Sequence, residues 1–517
     1  MIPYISSYIT KADLYGIDID SSLVTIAQEE LHNIVERTSY KVELKTGDFL
    51  LKFPLDLPKQ FDVIIGNPPH NAHYSQREWT RIRKICHFGD NTLIYSESSI
   101  FFTLYSLSLL KPEGILCFIL PKPIIYSKRW TEFRRLLLTN YHLIEVLDLG
   151  NQFSGQLQEQ SAIVVKKGNL IAKSQEYTTG IWNPAKNDFN QTSVISYLDA
   201  LKVDNLLVGI NDSELGIIRR LDSNKYDILN SIAFRGLSSK YRVSEGNIPL
   251  IEKSTISSGF LYPSRSFLDE KTPNERFKRQ KSPKIIAQRI ISYQTKPKFL
   301  LRVKTWVDQK GVMLTHETVI NIIPDYSQDI LSLYAVAGLL ESEFISWWLQ
   351  HVVYTKEFVT SKDFDRAYIN SIRIPQISGS KNFHYRKRLT KLVKNGKIEE
   401  ILVLVIDQSV IDQFYTLGVV YFEYQSVGSE LRRLLDEIIN ERNRESEDIK
   451  PDYQKWKKLY QNLSKNILYD KKEPQCANYN EFRKKIQELK KLKTIMDDVV
   501  FLIYKVTPFE ERIIKKA

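Results

Sequence analysis

Cysteine is scarce in this chain of 517 residues, and the few cysteines are not spaced to pair or to bind a metal. The three are Cys86, Cys117 and Cys476, with no C-x-x-C among them. This distribution argues against a disulfide framework or a zinc site, and it predicts a cytoplasmic location. No apolar run reaches the ~18 residues of a membrane span. The first residues also lack the basic and apolar pattern of a signal peptide, so no membrane association is expected.

Acidic residues are too few to balance the basic ones. The chain has 73 Lys and Arg against 61 Asp and Glu, which gives a net charge of +12. An excess of positive charge on a protein of this size favours a polyanionic partner. The length exceeds that of one ordinary core, so two to four domains are expected.

Short apolar segments alternate with helical patterns over the first 170 residues. Helical spacing covers 21–37, 99–110 and 130–138, and strand patterns cover 14–18, 41–44, 61–66, 115–120, 144–149 and 162–166. Strands that are apolar throughout predict a parallel sheet with both faces covered by helices. The expected fold class is therefore α/β in residues 1–170.

The tetrapeptide Asn67-Pro68-Pro69-His70 directly follows the strand predicted at 61–66. In an open α/β sheet, ligands bind outside the carboxyl ends of the strands. Two consecutive prolines fix two φ angles and remove two backbone donors. The carbonyls of Asn67 and Pro68 and the Asn67 amide oxygen are then acceptors at a strand end. Such a set suits the binding of an exocyclic amino group.

Two further strands predicted in this region end in an acid. Asp18 closes the strand at 14–18, where a carboxylate can accept from the ribose hydroxyls of a nucleotide-like cofactor. Asp48 closes the strand at 41–44, where it can accept from an adenine amino group. Ile19 and Phe49 follow these acids and are expected to flank the adenine ring. Asp is also common as a turn or cap residue, so each acid alone is a weak signal.

In this order, these segments resemble the catalytic domain of amino-directed, S-adenosylmethionine-dependent DNA methyltransferases. The closest group is the gamma-type N6-adenine enzymes of restriction-modification systems. The matching segments are Tyr15-Gly16-Ile17-Asp18-Ile19-Asp20, Gly47-Asp48-Phe49-Leu50, Asn67-Pro68-Pro69-His70 and Leu110-Lys111-Pro112-Glu113-Gly114 with Ile119-Leu120-Pro121.

The resemblance implies a Rossmann-like methyltransferase sheet and S-adenosylmethionine as cofactor. It implies that Asn67, Pro68, Pro69 and His70 act on an adenine rotated out of double-stranded DNA. His70 stands where the family has an aromatic residue that stacks on this base. Phe153 falls where the family has a second aromatic that packs on it. The cofactor residues implied are Asp18, Ile19, Asp48 and Phe49, with no metal.

The family also has a Gly-rich loop after its first strand, upstream of the position of Asp18. Residues 1–13 contain no glycine. We therefore expect the methyltransferase sheet to be N-terminally incomplete in this chain. Either an N-terminal complementing polypeptide supplies the missing strand, or the start of the chain is a truncation. In both cases the chain alone would bind S-adenosylmethionine weakly or not at all.

The remainder of the chain is expected to form a linker at 171–226, a second folded region at 227–380 and a helical C-terminal module at 381–517. The region at 227–380 resembles the specificity domain of the same methyltransferases, which implies an α+β DNA target-recognition domain. Between Arg276 and Lys310 basic residues dominate, with Tyr293, Phe299 and Trp306 interleaved. Basic side chains supply phosphate affinity. By charge alone, the candidates for DNA binding are Arg235, Lys240, Lys284 and Arg289.

Three functions remain open at this point. The first is a DNA adenine-N6 methyltransferase of a restriction-modification system, with a cognate restriction endonuclease as a further partner. The second is methylation of a protein amide or of an RNA amine, since N-P-P motifs serve those reactions too. The third is a truncated, non-catalytic DNA-binding chain that needs a partner for its cofactor site.

Overall fold

The computed structural model describes residues 11–516 except for 36–38, 54–55, 71, 87–96, 153–157, 169–174, 222–225, 263, 296–297, 326–329, 355–361, 377–390, 393–397, 407–408 and 445–478. The chain divides into two compact units, Met1–Gly209 and Ile210–Ala517. Among the described residues, no single helix is long and apolar enough to cross a membrane, and only the bent pair Ile330–Glu341 and Glu343–Val353 reaches that length when joined.

The first unit is a mixed α/β fold. Its elements are β1 (Lys11–Asp18), α1 (Ser21–Val35), β2 (Ser39–Thr46), β3 (Phe61–Gly66), α2 (Gln76–Ile85), α3 (Ser98–Leu109), β4 (Leu110–Pro121), α4 (Pro123–Tyr126), α5 (Thr131–Asn140), β5 (His142–Gly150), β6 (Gln160–Lys166), β7 (Glu176–Asn183), β8 (Asp188–Ser196) and α6 (Tyr197–Val203). The strands and helices predicted in the first 170 residues are confirmed, with ends that differ by a few residues.

The sheet is divided into two parts. β1 and β2 form a parallel pair, and the order of the six-stranded part is β3-β4-β6-β5-β7-β8. β3, β4, β5 and β7 run in one direction, and β6 and β8 run against them. The prediction of a parallel sheet over residues 1–170 is therefore wrong for β6, and β8, which lies beyond that range, is antiparallel as well. Their connections to β5 and β7 are too short for a parallel crossover, which takes a dozen or more residues.

The prediction of a linker at 171–226 is also corrected by the structure. β7 and β8 extend the sheet, and α6 follows directly on β8. Tyr177 and Tyr197 are buried, and their hydroxyls donate to the carbonyls of Leu207 (3.1 Å) and Leu143 (2.8 Å). Polar residues alternate with apolar ones in these two strands, and such alternation makes them look like loop sequence.

The strands of the second unit form small antiparallel sheets. They are β9 (Tyr226–Ile228), β10 (Ser231–Arg235), β11 (Arg242–Val243), β12 (Leu250–Ile251), β13 (Ile256–Ser257), β14 (Phe260–Leu261), β15 (Phe267–Leu268), β16 (Lys284–Gln288), β17 (Ser292–Thr295), β18 (Lys298–Leu301), β19 (Thr305–Asp308), β20 (Leu314–Thr315), β21 (Val319–Pro324) and β22 (Arg373–Pro375). The largest has the order β10-β21-β16-β19. β12 and β20 are an exception, since they pair in parallel.

The second unit also contains helices before, between and after these strands. They are α7 (Asp212–Leu221), α8 (Ile330–Glu341), α9 (Glu343–Trp348) with a π-helical turn Leu349–Val353, α10 (Arg366–Ile369), α11 (Ile398–Ile406), α12 (Val410–Arg444), α13 (Tyr479–Ile503) and α14 (Pro508–Lys516). α8 packs on α12, and the Tyr421 hydroxyl of α12 lies 2.6 Å from the Thr305 hydroxyl of β19. The structure thus places the C-terminal helices and the strands in one unit, where the sequence predicts a boundary near 380.

Candidate active site

The turn formed by Asn67, Pro68, Pro69 and His70 lies at the carboxyl end of β3. Asn67 and Pro69 are exposed, whereas Pro68 is buried. The hydroxyl of Ser98, the first residue of α3, donates to the Pro69 carbonyl and accepts from the Ala72 amide at 3.2 Å. Ser98 is fully buried, and its two hydrogen bonds hold the turn against the start of α3.

This arrangement leaves two acceptors of the turn available. Within the part of the chain that the structure describes, no hydrogen bond engages the Asn67 side chain or the Pro68 carbonyl. The Pro69 carbonyl, in contrast, is occupied by Ser98. The free acceptors therefore belong to Asn67 and Pro68, as expected for a site that binds an amino group.

His70 follows this turn and lies near an acid. Its Nδ1 is buried and has no hydrogen-bond partner among the described residues. Burial raises the pKa of the Glu97 carboxyl, and the Ser99 hydroxyl and the charges of His70 and Arg129 oppose that shift. Whether His70 stacks on a base stays a prediction.

Asp18 lies at the exposed end of β1, beside the end of β2. Its Oδ1 accepts from the Asp20 amide at 2.9 Å, and its carbonyl accepts from the Gly47 amide at 2.9 Å. Ile19 is 72% exposed. Asp20 instead begins α1, because its Oδ1 accepts from the Ser22 amide at 2.9 Å.

Asp48 shapes the turn after β2. Its Oδ1 accepts from the amides of Leu50 (2.9 Å) and Leu51 (3.0 Å), and the Tyr74 hydroxyl donates to the same oxygen at 3.4 Å. Burial and the Asp48 charge raise the pKa of Tyr74 well above its usual value. Tyr74 thus connects Asp48 to the segment that follows His70.

Phe49 belongs to an aromatic cluster against α3. Its ring stacks on Phe102 with centroids 5.3 Å apart and meets Tyr105 edge-on at 5.2 Å. One face of the Phe49 ring is therefore covered by Phe102. Phe153, the other aromatic predicted for the site, lies outside the described residues.

A buried charged cluster lies at the same edge of the sheet and was missed from the sequence. The Lys122 ammonium, at the end of β4, lies 2.6 Å from Asp148 Oδ2 of β5 and 3.7 Å from Glu159 Oε1, just before β6. The Lys122 amide also donates to the Glu159 carbonyl at 2.9 Å. Single charged residues inside the apolar runs 115–126 and 143–149 were the signal that could have revealed it.

The candidates for DNA binding in the second unit differ in availability. Lys240 and Arg235 are exposed, and Arg289 lies 3.4 Å from Asp363 and donates to the Glu317 carbonyl at 3.2 Å. Lys284 is wrong as a DNA-binding residue. It is fully buried in β16, 2.6 Å from Asp308, and burial lowers its pKa.

The fold and the site define a class of protein: an α/β domain in which a turn with open acceptors and two acids, Asp18 and Asp48, follow the ends of strands. Comparison with known proteins shows what this part of the chain is similar to. Residues 5–154 match the Eco57I restriction-modification methylase family. The predicted resemblance to methyltransferases of restriction-modification systems is confirmed.

Two curated relatives extend this match. One is a type II restriction enzyme and methyltransferase of Methanocaldococcus jannaschii, 25% identical over 413 residues that cover 73% of this chain and 32% of the relative. The other is the modification methylase CviBIII of Paramecium bursaria Chlorella virus NC1A, 29% identical over 141 residues, which cover 26% of this chain and 32% of the relative. The chain spans about a third of the length of each.

Among solved structures, the type IIL restriction-modification enzyme MmeI in complex with DNA is similar over 93% of this chain and 66% of its own. The TM-score is 0.44 and the sequence identity is 10%.

Proposed function

We propose that this chain transfers the methyl group of S-adenosylmethionine to N6 of adenine in double-stranded DNA, as a cytoplasmic component of a restriction-modification system. One observation carries the proposal: Ser98 occupies the Pro69 carbonyl while the acceptors of Asn67 and Pro68 stay open at the end of β3. The name of the M. jannaschii relative, a restriction enzyme and methyltransferase, supports a cognate restriction endonuclease as a partner.

The mechanism follows from these acceptors. A stacked base cannot reach the site, so the adenine must rotate out of the duplex. The Asn67 side-chain oxygen and the Pro68 carbonyl then accept from the two amino hydrogens. This would draw the nitrogen from planar toward tetrahedral and free its lone pair. Positioning and fixed dipoles supply most of the rate in such a site.

The cofactor fits the two acids that follow β1 and β2. Asp18 and Asp48 each commit Oδ1 to their own turn, and in the described residues Oδ2 of each accepts no hydrogen bond. These free oxygens would take the ribose hydroxyls and the adenine amino group, with Ile19 and Phe49 beside the ring. S-adenosylmethionine supplies an electrophilic methyl group on a sulfonium.

We further propose that a complementing polypeptide adds a parallel strand, followed by a Gly-rich turn, between β1 and β3. Among the described residues, β1 pairs only with β2, and β3 pairs only with β4. Apolar side chains are exposed around these edges: Leu23, Ile26, Val63 and Ile65, each 44–54% accessible. Unpaired edges and uncovered apolar surface are normally buried.

Calorimetric titration tests this second proposal. The chain alone is expected to bind S-adenosylmethionine weakly, and addition of a polypeptide with an apolar strand and a Gly-rich turn is expected to raise the affinity. Val63→Glu on β3 should abolish the gain, whereas Val403→Glu, an exposed apolar position of α11, should not. Micromolar affinity of the isolated chain for S-adenosylmethionine would overturn the proposal of a complementing polypeptide.

Transfer of a labelled methyl group tests the function itself. The chain, with the complementing polypeptide present, is incubated with tritiated S-adenosylmethionine and duplex DNA, and the DNA is then digested to nucleosides. We expect the label in N6-methyldeoxyadenosine. Label in RNA or protein would favour the amide or RNA reaction, and no transfer to any of them would favour the non-catalytic DNA-binding chain.

A further inference from the structure

A cavity of about 580 Å³ lies in the second unit, between the edge strand β10, its neighbour β21 and α10. Its lining residues are Ala233, Phe234, Arg235, Ile320, Asp365, Arg366, Ala367 and Asn370. Pockets that take small ligands have roughly 300–1,000 Å³. The floor is largely apolar, and the cations lie at its margin, so the cavity suits a ligand with an anionic group and an uncharged body.

Two arginines supply that positive margin. The Arg235 side chain is 57% exposed, and its ion-pair contact with Asp363 is long, at 4.0 Å. Asp363 also pairs with Arg289 at 3.4 Å, so one carboxylate is shared by two guanidinium groups. Arg366 is exposed and has no side-chain partner among the described residues. Both guanidinium groups are therefore available to an anion.

The one acid in the lining is engaged by the backbone of its own helix. Asp365 caps α10, and its Oδ1 accepts from the amides of Ala367 (2.9 Å) and Tyr368 (3.4 Å). Asn370 is likewise committed, because it exchanges hydrogen bonds with the hydroxyl and the carbonyl of Ser231. The polar groups left for a ligand are the arginines.

An aromatic platform borders the same cavity. The Arg279 guanidinium lies over the Phe234 ring, 4.4 Å from its centroid. Nucleic-acid bases and sugars pack on aromatic rings and on guanidinium planes. A flat platform beside two exposed guanidinium groups matches the chemistry of a nucleotide unit, in which a phosphodiester is joined to a sugar and a base.

We infer that this cavity binds one nucleotide of the DNA substrate, with its phosphodiester on Arg235 and Arg366 and its sugar over the apolar floor. The inference rests on the proposed function, because it takes DNA as the partner. Arginine binds phosphate with two parallel hydrogen bonds, which fixes orientation as well as adding affinity. Phosphate contacts position a protein on the duplex. The cavity would therefore set the register of the second unit on DNA.

The salt dependence of DNA binding tests the inference. The slope of log K against log salt, where K is the association constant for DNA, is negative. Arg235→Ala and Arg366→Ala are each expected to make it less steep by about 0.9, which amounts to about eightfold weaker binding at 0.1 M salt. Arg433→Ala is the matched control. Arg433 belongs to the same unit, and its side chain is 60% exposed and pairs with Glu437 of its own helix. Its substitution should leave the slope unchanged.

Arg235→Lys shows whether the effect of Arg235→Ala comes from the lost charge or from a disturbed fold. It keeps one phosphate contact and should restore the slope, while losing part of the affinity because lysine cannot bind in the paired geometry. If DNA binds and Arg235→Ala and Arg366→Ala both keep the slope of the unmodified chain, the cavity is not a phosphate site. If the unmodified chain binds no DNA at all, the proposed function fails instead.

Discussion

Asn67→Ala is expected to lower methyl transfer by about 10²–10³-fold while DNA affinity stays close to that of the unmodified chain. Removal of one fixed polar group that acts in a transition state costs on this order. Asn67 is exposed, and its side chain makes no hydrogen bond within the described residues. The fold therefore does not depend on its amide. Single-turnover transfer to duplex DNA gives the rate, and a binding titration gives the affinity.

Asn140→Ala is the control for this experiment. Asn140 is an exposed asparagine at the end of α5, just before β5, so it lies at the opposite edge of the sheet from the end of β3. Its substitution should leave the rate unchanged. A rate for Asn67→Ala within threefold of the unmodified chain would show that the turn does not act on the amine.

The acceptor turn could be predicted because its chemistry is local. Two prolines next to Asn67 restrict the backbone whatever surrounds them. The role of Ser98 could not be predicted, because its contact with Pro69 joins residues 29 positions apart and depends on where the start of α3 lies in the fold. Nothing in the sequence distinguishes Ser98 from Ser99, which is equally buried.

Positive charge in the sequence did not predict which of the DNA-binding candidates lie on the surface. Lys284 was predicted to bind DNA because it lies in the most basic stretch, yet β16 is an interior strand of its sheet. Position in the sheet order decides burial there, and a lysine at such a position must find a carboxylate. Arg235 differs because β10 is the edge strand.

The largest effect on stability is expected at the buried cluster of Lys122, Asp148 and Glu159. Lys122→Met should lower the free energy of unfolding of the first unit by about 3–5 kcal/mol, because it leaves buried carboxylates without their cation. The side chains of Lys122 and Asp148 are 0% and 1% exposed, so water cannot replace the contact. Native-state hydrogen exchange in β4 and β5 measures the loss.

Lys111→Met provides the control on the same strand. Lys111 pairs with Asp62 at 2.8 Å, but the two side chains are 46% and 80% exposed, and exposed pairs contribute less than about 1 kcal/mol. Replacing the whole cluster, with Lys122→Met, Asp148→Leu and Glu159→Gln together, should recover most of the stability, since an apolar substitute removes the unpaired charge. Equal losses for Lys122→Met and Lys111→Met would contradict the assignment.

The pH dependence of Lys122→Met gives an independent signature. Burial raises the pKa of Asp148 above its usual 3.8, and Lys122 opposes that shift. Without the ammonium, the folded-state pKa rises further. A carboxyl with a raised pKa contributes stability that is fully present below its unfolded value and is lost as pH rises through its folded value. The free energy of unfolding of the variant should therefore be closest to that of the unmodified chain near pH 4, and the difference should grow toward pH 8. A deficit that does not change over this range would mean that lost packing, rather than unpaired charge, destabilises it.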